Sequence, residues 1–163
     1  MKHKLDSQDK NIVIELTRDG AAPVAKIAET LGVTAPTIRT RIKNLLHKGI
    51  LCIAGLVDPE RTQGVTVAMV CLTLESHSQL DDKLAAIAKL DMVTWAGVVT
   101  GRYDIMVEIL ISDDITDLYR FLDRDLSTIG GIASSESFVV MKSKKKWVRL
   151  PEGALKRLNL EQR

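Results

Sequence analysis

From Thr34 to Lys48 the chain carries the cations Arg39, Arg41, Lys43 and Lys48 and no acid at all. Placed at 3.6 residues per turn, Pro36, Thr37, Thr40 and Asn44 collect on one side, with Arg39 and Lys43 along one edge and Arg41 and Lys48 along the other. Guanidinium and ammonium groups bind phosphate, while short Thr and Asn side chains reach base edges in a major groove, so the pattern has the chemistry of a DNA-reading helix. With Thr34 at its start, the candidate DNA contacts are Thr34, Pro36, Thr37, Arg39, Thr40, Arg41, Lys43 and Asn44. For a basic helix taken alone, a merely solvated face is the competing reading.

A second constellation is Thr100-Gly101-Arg102-Tyr103-Asp104. Gly101 permits positive φ and close backbone approach, so amides there can meet a ligand carboxylate. Asp104 can accept from an α-amino group, and Tyr103 can wall the pocket. That combination suits an amino acid, and a plain hairpin turn with Asp104 bonded to nearby backbone suits the same residues. Catalytic constellations do not emerge. His3, His47 and His77 are far apart with no triad-like or metal-like neighbours, and neither phosphate-loop nor dinucleotide glycine patterns occur. Asp113-Asp114 and the Asp123/Asp125 pair sit where solvated acids are common. No catalytic residue, metal ligand or cofactor is expected. Cys52 and Cys71 lie in apolar runs and read as buried thiols in a reducing cytoplasm.

The elements that position these residues follow from periodicity. Asp6 or Ser7 caps a first helix with Ile12, Val13 and Leu16 inward, and Asp19-Gly20 stops it. Pro23 suits the first turn of a short second helix, with Ile27 and Leu31 inward and Gly32 at its end. Thr34 caps a third, from about Ala35 to Lys48, whose Ala35, Ile38, Ile42, Leu45 and Leu46 face the core and which Gly49 closes. A short helix, a glycine turn and an acid-free, polar-faced helix make a helix-turn-helix, and that context favours DNA.

Ile50–Val57 is expected as a short linker strand, which would make the first domain winged, and Asp58-Pro59-Glu60 with Gly64 as a turn. Strand Val65–Leu74 leads to a helix opened by Ser78 and Asp81, with Leu80, Leu84, Ile87 and Leu90 inward. Strands Val93–Thr100 and Tyr103–Ile111 follow, then a helix carrying Ile115, Leu118, Leu122 and Leu126, the break Gly130-Gly131, and a strand over 132–141. This βαββαβ order is the ferredoxin-like arrangement, an antiparallel sheet with both helices on one face. The fold class is α+β: a helix-turn-helix domain over residues 1–60 and a ferredoxin-like domain over 61–163. Strand Val65–Leu74 is apolar at both alternations, so its second face needs a cover. A second copy's sheet is the simplest, giving a homodimer with two recognition helices.

Charge divides the chain the same way. Residues 1–62 hold 10 basic and 7 acidic groups, 63–140 hold 5 and 12, and 141–163 hold 8 and 2. An acidic middle between a basic head and tail confines polyanion contact to the ends. In the tail, Lys144-Lys145-Lys146-Trp147-Val148-Arg149 reads as a solvated strand end or as an extra phosphate contact, followed by Pro151 and a short helix to Leu160. With 45% hydrophobic residues, a charged amino terminus lacking a following apolar stretch, and no run long enough to span a bilayer, a soluble cytoplasmic protein is expected.

Leu5-Asp6-Ser7-Gln8-Asp9-Lys10-Asn11-Ile12, Ile27-Ala28-Glu29-Thr30-Leu31-Gly32-Val33-Thr34, Val99-Thr100-Gly101-Arg102-Tyr103-Asp104 and Phe138-Val139-Val140-Met141 together resemble the Lrp/AsnC, or feast/famine, family over nearly the whole chain. The resemblance implies a transcriptional regulator of double-stranded DNA. In such proteins the second domain builds dimers, often octamers, and commonly binds an amino acid or similar metabolite between them. It favours the effector reading of Thr100, Gly101, Tyr103 and Asp104, and implies that Ser134, Ser135 and Glu136 of an adjoining subunit complete the pocket. Two alternatives accompany it. Siroheme decarboxylases resemble the same two-domain family and would use His77, Arg102, Arg120 and Arg124. An architectural DNA-packing protein would use the same fold with little sequence preference.

Overall fold

The computed structural model describes residues 3–151. The expected helix to Leu160 lies outside the described residues. The chain forms two compact units that divide after Gly55.

The first unit is three helices. Asp6 caps α1 (Ser7–Arg18) by accepting the Asp9 amide at 2.7 Å. Pro23 stands at the N-cap of α2 (Val24–Leu31), one position ahead of the first turn in which it was expected. Gly32, at φ 64°, turns the chain into α3 (Ala35–His47). Ile12, Leu16, Ile27, Ala28, Ile38 and Leu45 form the buried centre. Leu46 does not join them and is exposed. It lies about 100° round the helix from Leu45, and so small a bundle accepts only one of the two.

Segment 50–57 is not a strand. Its single ladder contact is a bridge between Val57 and Val148. Ile53, Leu56 and also Cys52, expected buried, are exposed, because no neighbouring strand lies alongside to cover them. The helix-turn-helix therefore has no strand-built wing among the described residues.

The second unit is built on a four-stranded antiparallel sheet of β1 (Thr66–Leu74), β2 (Val93–Val98), β3 (Ile105–Ile111) and β4 (Ile132–Val139), in the order β2-β3-β1-β4. The helices are α4 (Leu80–Ile87) and α5 (Thr116–Arg120). Ser76 rather than Ser78 caps a short turn, His77–Gln79, that leads into α4. The inward face of the sheet presents Ala68, Val70, Leu72 and Leu74 from β1 and Ile105, Val107, Ile109 and Ile111 from β3. It packs on Ile87, Met92, Leu118, Phe121 and Leu126.

Helix α5 departs from the expected repeat. Ile115 precedes the helix and is exposed, while Phe121 is fully buried. After Arg120 the helix widens, and the Leu126 amide reaches back five residues to the Phe121 carbonyl at 2.9 Å. Seven residues on from Leu118 a regular helix would direct Asp125 inward. The wide turn places Leu126 there instead, and such π-turns shift side-chain phase by one residue.

The opposite sheet face is not wholly bare, as the sequence had implied. At one end Val65, Val67 and Leu110 are covered by Val148, with Val57, Val140 and Leu150 flanking. Segment 142–150 thus returns across the sheet as a strap. Lys146 donates to Glu108, which also accepts from Thr94 Oγ1 at 2.7 Å, and the Ser143 amide donates to Glu60 at 2.6 Å. Beyond the strap the face presents Met69, Met106, Trp95 and Phe138. The last two are 50% and 49% exposed.

Replacing Phe121 by Ala removes the largest fully buried side chain from the sheet–helix core. Destabilisation of the second unit by about 3–5 kcal/mol is expected in urea unfolding followed by tryptophan fluorescence, since both tryptophans lie in that unit.

Candidate functional site

Helix α3 carries the first constellation. Thr34 is in the N-cap position with extended backbone, but its hydroxyl bonds the Thr37 hydroxyl at 2.8 Å and not a helix amide. Pro36, Thr37, Thr40 and Asn44 are exposed and border one open concavity. Arg39 and Lys43 are exposed as well, and among the described residues neither has an ion-pair partner.

Arg41 differs from the free edge cation expected. It borders the same concavity, yet its Nη1 lies 2.7 Å from Asp6 Oδ2 and 2.7 Å from Asp9 Oδ1. The two acids of the α1 cap thus hold the reading helix. The Asp9 amide first, and the Arg41 guanidinium second, keep the Asp6 carboxyl below its ordinary range. Bonds from Asp6 and Asp9 raise the Arg41 value in turn. Both acids are visible in the opening motif, but a contact spanning more than 30 residues leaves no local signature in sequence.

The second constellation surrounds the β2–β3 turn. Gly101 adopts φ 120°, outside the range L side chains favour. The Arg102 guanidinium sits 5.3 Å from the Tyr103 ring centroid, a cation–π distance. Tyr103 OH donates to Glu136 on β4 of the same protomer. Asp104 is a junction: its amide donates to Leu72 O at 2.9 Å and its carbonyl accepts from Val99 at 3.0 Å. Its carboxylate takes the Leu74 amide at 2.8 Å and pairs with His77 Nε2 at 2.8 Å. The Leu74 amide foremost, then His77, hold the Asp104 carboxyl below its ordinary range. Two of a carboxylate's roughly four acceptor positions are therefore taken.

Tyr103, Asp104 and Glu136 are thus drawn together with His77, which sequence spacing had left without a partner. Ser134 and Ser135 line a shallow groove on the β4 side with Leu122, Leu126 and the Gly130-Gly131 turn. Arg120 and Arg124 line a polar concavity with Ser112, Asp114, Asp117 and Asp125, and Arg120 is 3.3 Å from Asp117. Asp104 precedes β3 and Ser112 follows it. The Arg120/Arg124 concavity and the His77–Arg102 cluster consequently stand at opposite ends of a seven-residue strand, about 20 Å apart along it. The four groups a tetrapyrrole pocket would need do not converge. No cluster of His, Cys, Asp or Glu among the described residues could hold a metal ion.

Comparison with known proteins gives a consistent result. Residues 5–46 match the AsnC-type helix-turn-helix domain and residues 67–149 the Lrp/AsnC ligand binding domain. An uncharacterized HTH-type transcriptional regulator of Pyrococcus furiosus is 33% identical over 146 residues, covering 88% of this chain and 95% of that protein. The structure of AsnC from E. coli superposes with a TM-score of 0.67 at 27% identity, covering 86% of this chain and 95% of that one. The complex of a Neisseria meningitidis transcriptional regulator with L-Met shares the fold, at TM-score 0.69 and 22% identity over 95% and 99% of the two chains.

The Arg41 anchor has a pH signature. A carboxyl depressed in the fold contributes stability above its unfolded value, ordinarily 3.8 for Asp6, and loses it as pH falls through the folded value. Arg41→Ala should lower the melting temperature of the helical unit at neutral pH. That deficit should shrink as the pH is taken from about 5 to about 2, because wild type alone then gives up the Arg41 part of the linkage. Circular dichroism melts across this range test it, and a constant deficit would exclude the pair as its source.

Proposed function

Since the chain belongs to the Lrp/AsnC family of transcriptional regulators, we propose that its α3 reads DNA and that the β2–β3 turn senses an amino acid. The protein is a transcriptional regulator with a helix-turn-helix and a small-molecule ligand domain. We assign DNA contact to residues 1–60 and assembly and effector binding to 61–163. No enzymatic step is assigned to it, in keeping with the regulators it is related to.

The observation that carries the DNA reading is the pair of unpartnered cations Arg39 and Lys43 beside exposed Thr37, Thr40 and Asn44 on a helix without acids. Thr34 and Pro36 shape the approach at its start. Arg41 borders the face, and its main task is to hold α3 against α1. The remaining apolar sheet face, with Trp95 and Phe138 half exposed, supports a homodimer formed sheet to sheet, with two recognition helices on a two-fold DNA site. Octamer assembly follows from the family resemblance. No described helix is long and apolar enough to cross a membrane, and a regulator of DNA works in the cytoplasm.

For the effector, amides around Thr100 and Gly101 face a carboxylate, the Asp104 carboxylate takes an α-amino group, and Tyr103 walls the site. By the family resemblance, Ser134, Ser135 and Glu136 of an adjoining subunit complete it. Because Glu136 already meets Tyr103 within one protomer, part of that wall exists before a second subunit arrives.

Two measurements test these assignments. Arg39→Ala or Lys43→Ala should weaken binding to all duplexes alike and lower the log–log salt slope by about 0.9 each. Asn44→Ala should instead change site preference by about 1–3 kcal/mol.

Calorimetric titration of amino acids, beginning with L-methionine, checks the effector, with oligomer size followed by light scattering. Asp104→Asn keeps an acceptor for the Leu74 amide but removes the charge. It should weaken binding by about 10–100-fold, the range for a charge-assisted hydrogen bond. Equal affinity in both proteins would make Asp104 purely structural.

A further inference from the structure

The strap leaves a set of charges that its packing does not use. Lys146 is spent on Glu108, and Val148 is buried under the sheet. Lys142, Lys144 and Lys145 are exposed, and none has an ion-pair partner among the described residues. Of the carboxylates around the strap, Glu60 accepts from Ser143, Asp58 pairs with Arg61, and Glu108 pairs with Lys146. The three neighbouring ammonium groups therefore repel one another, and no described carboxylate forms an ion pair with any of them.

Their backbone is also held in an unusual shape. Lys145 adopts φ 59° and is the only non-glycine residue at positive φ among those described. For an L residue this conformation is disfavoured and persists only where the surroundings over-determine it. Here they do: Ser143 is fixed to Glu60 on one side of the corner and Lys146 and Val148 are fixed on the other. A corner pinned at both ends presents its lysines outward.

Position along the chain completes the argument. The strap pairs with Val57 through two backbone hydrogen bonds of 2.9 and 3.0 Å, just after the helical unit ends at Gly55. From Leu51, which packs on the helical core, to Val57 the chain can span at most about 20 Å. The strap is consequently joined to the unit that bears α3 by a short covalent linker.

We propose that Lys142, Lys144 and Lys145 form a second, sequence-independent phosphate-binding surface that grips the duplex flanking the bases read by α3. This rests on the DNA-reading assignment of α3 and adds a site on the other unit. Its role is affinity and wrapping without sequence information, since ammonium groups neutralise phosphate as point charges and read no base.

The test uses the full-length protein and two duplexes with the same binding site, one ending at the site and one extended by flanking sequence. The triple variant Lys142→Ala, Lys144→Ala, Lys145→Ala should bind the extended duplex more weakly. Its salt slope there should fall by about 0.9 for each lysine that sits on a phosphate, with unchanged base preference and little change on the short duplex. The triple Lys→Arg variant should restore the slope. Acetylation rates of the three lysines in wild type, with and without extended duplex, give a readout independent of any effect of substitution on folding, and protection by DNA is expected. Unchanged slope with the extended duplex, or equal acetylation rates, overturns the proposal. Lys43→Ala on the short duplex separates the two readings. If it lowers the slope while the lysine triple has no effect on either duplex, only the second surface falls. If neither variant moves the slope, the DNA assignment of α3 falls with it.

Discussion

An antiparallel sheet with apolar residues on both faces has to be covered twice, and the second unit is organised by that requirement. One cover is the helix layer, in which Ile87, Phe121 and Leu126 meet the inward alternation of β1 and β3. The other begins within the chain, where Val148 and Val57 close over Val65, Val67 and Leu110. Burial at this end explains why a strongly basic segment folds back onto the sheet. Its valine supplies apolar area, and Lys146 remains because Glu108 and Thr94 form a satisfied polar network around it. Beyond the strap, Met69, Met106, Trp95 and Phe138 lie on the part of the face it leaves open.

The helical unit solves a different problem, since a helix rich in cations and lacking acids must be kept in place while its charge stays available. The division of labour among the cations does this. Arg41 is given up to Asp6 and Asp9, fixing α3 against α1, and Arg39 and Lys43 are left exposed. The single Nη1 of Arg41, which carries two hydrogens, serves both carboxylates at once. Helix α3 therefore owes its hold on α1 to a group that, by composition alone, looks like one more phosphate contact.

Local signals were legible in the sequence. Asp6, Gly32 and Gly49 mark helix ends where the structure has them, and the βαββαβ order is the observed one. The elements that differed were decided by distant contacts. Segment 50–57 has the composition of a strand, but its one β-bridge among the described residues is to Val148. Leu118, Leu122 and Leu126 pack inward as their spacing implies, but Ile115 is exposed, and the π-turn at Phe121–Asp125 that sets the phase of Leu126 is not visible in that spacing. The candidate site was legible as residue types, and its wiring was not. His77 with Asp104, Tyr103 with Glu136, and Arg41 with the α1 cap join positions 27 to 35 residues apart, distances over which sequence carries no periodic trace.

The outer strand β4 shows Ala133, Ser134, Ser135 and Glu136 to solvent along an edge whose outward backbone groups have no neighbouring strand. An open edge is a template for further strands, and chains that leave one apolar tend to grow into fibres. Here an added strand would have to strip water from a carboxylate and two hydroxyls, with Ala133 and Phe138 the exposed apolar side chains of β4. Lateral extension of the sheet along this edge is thereby discouraged.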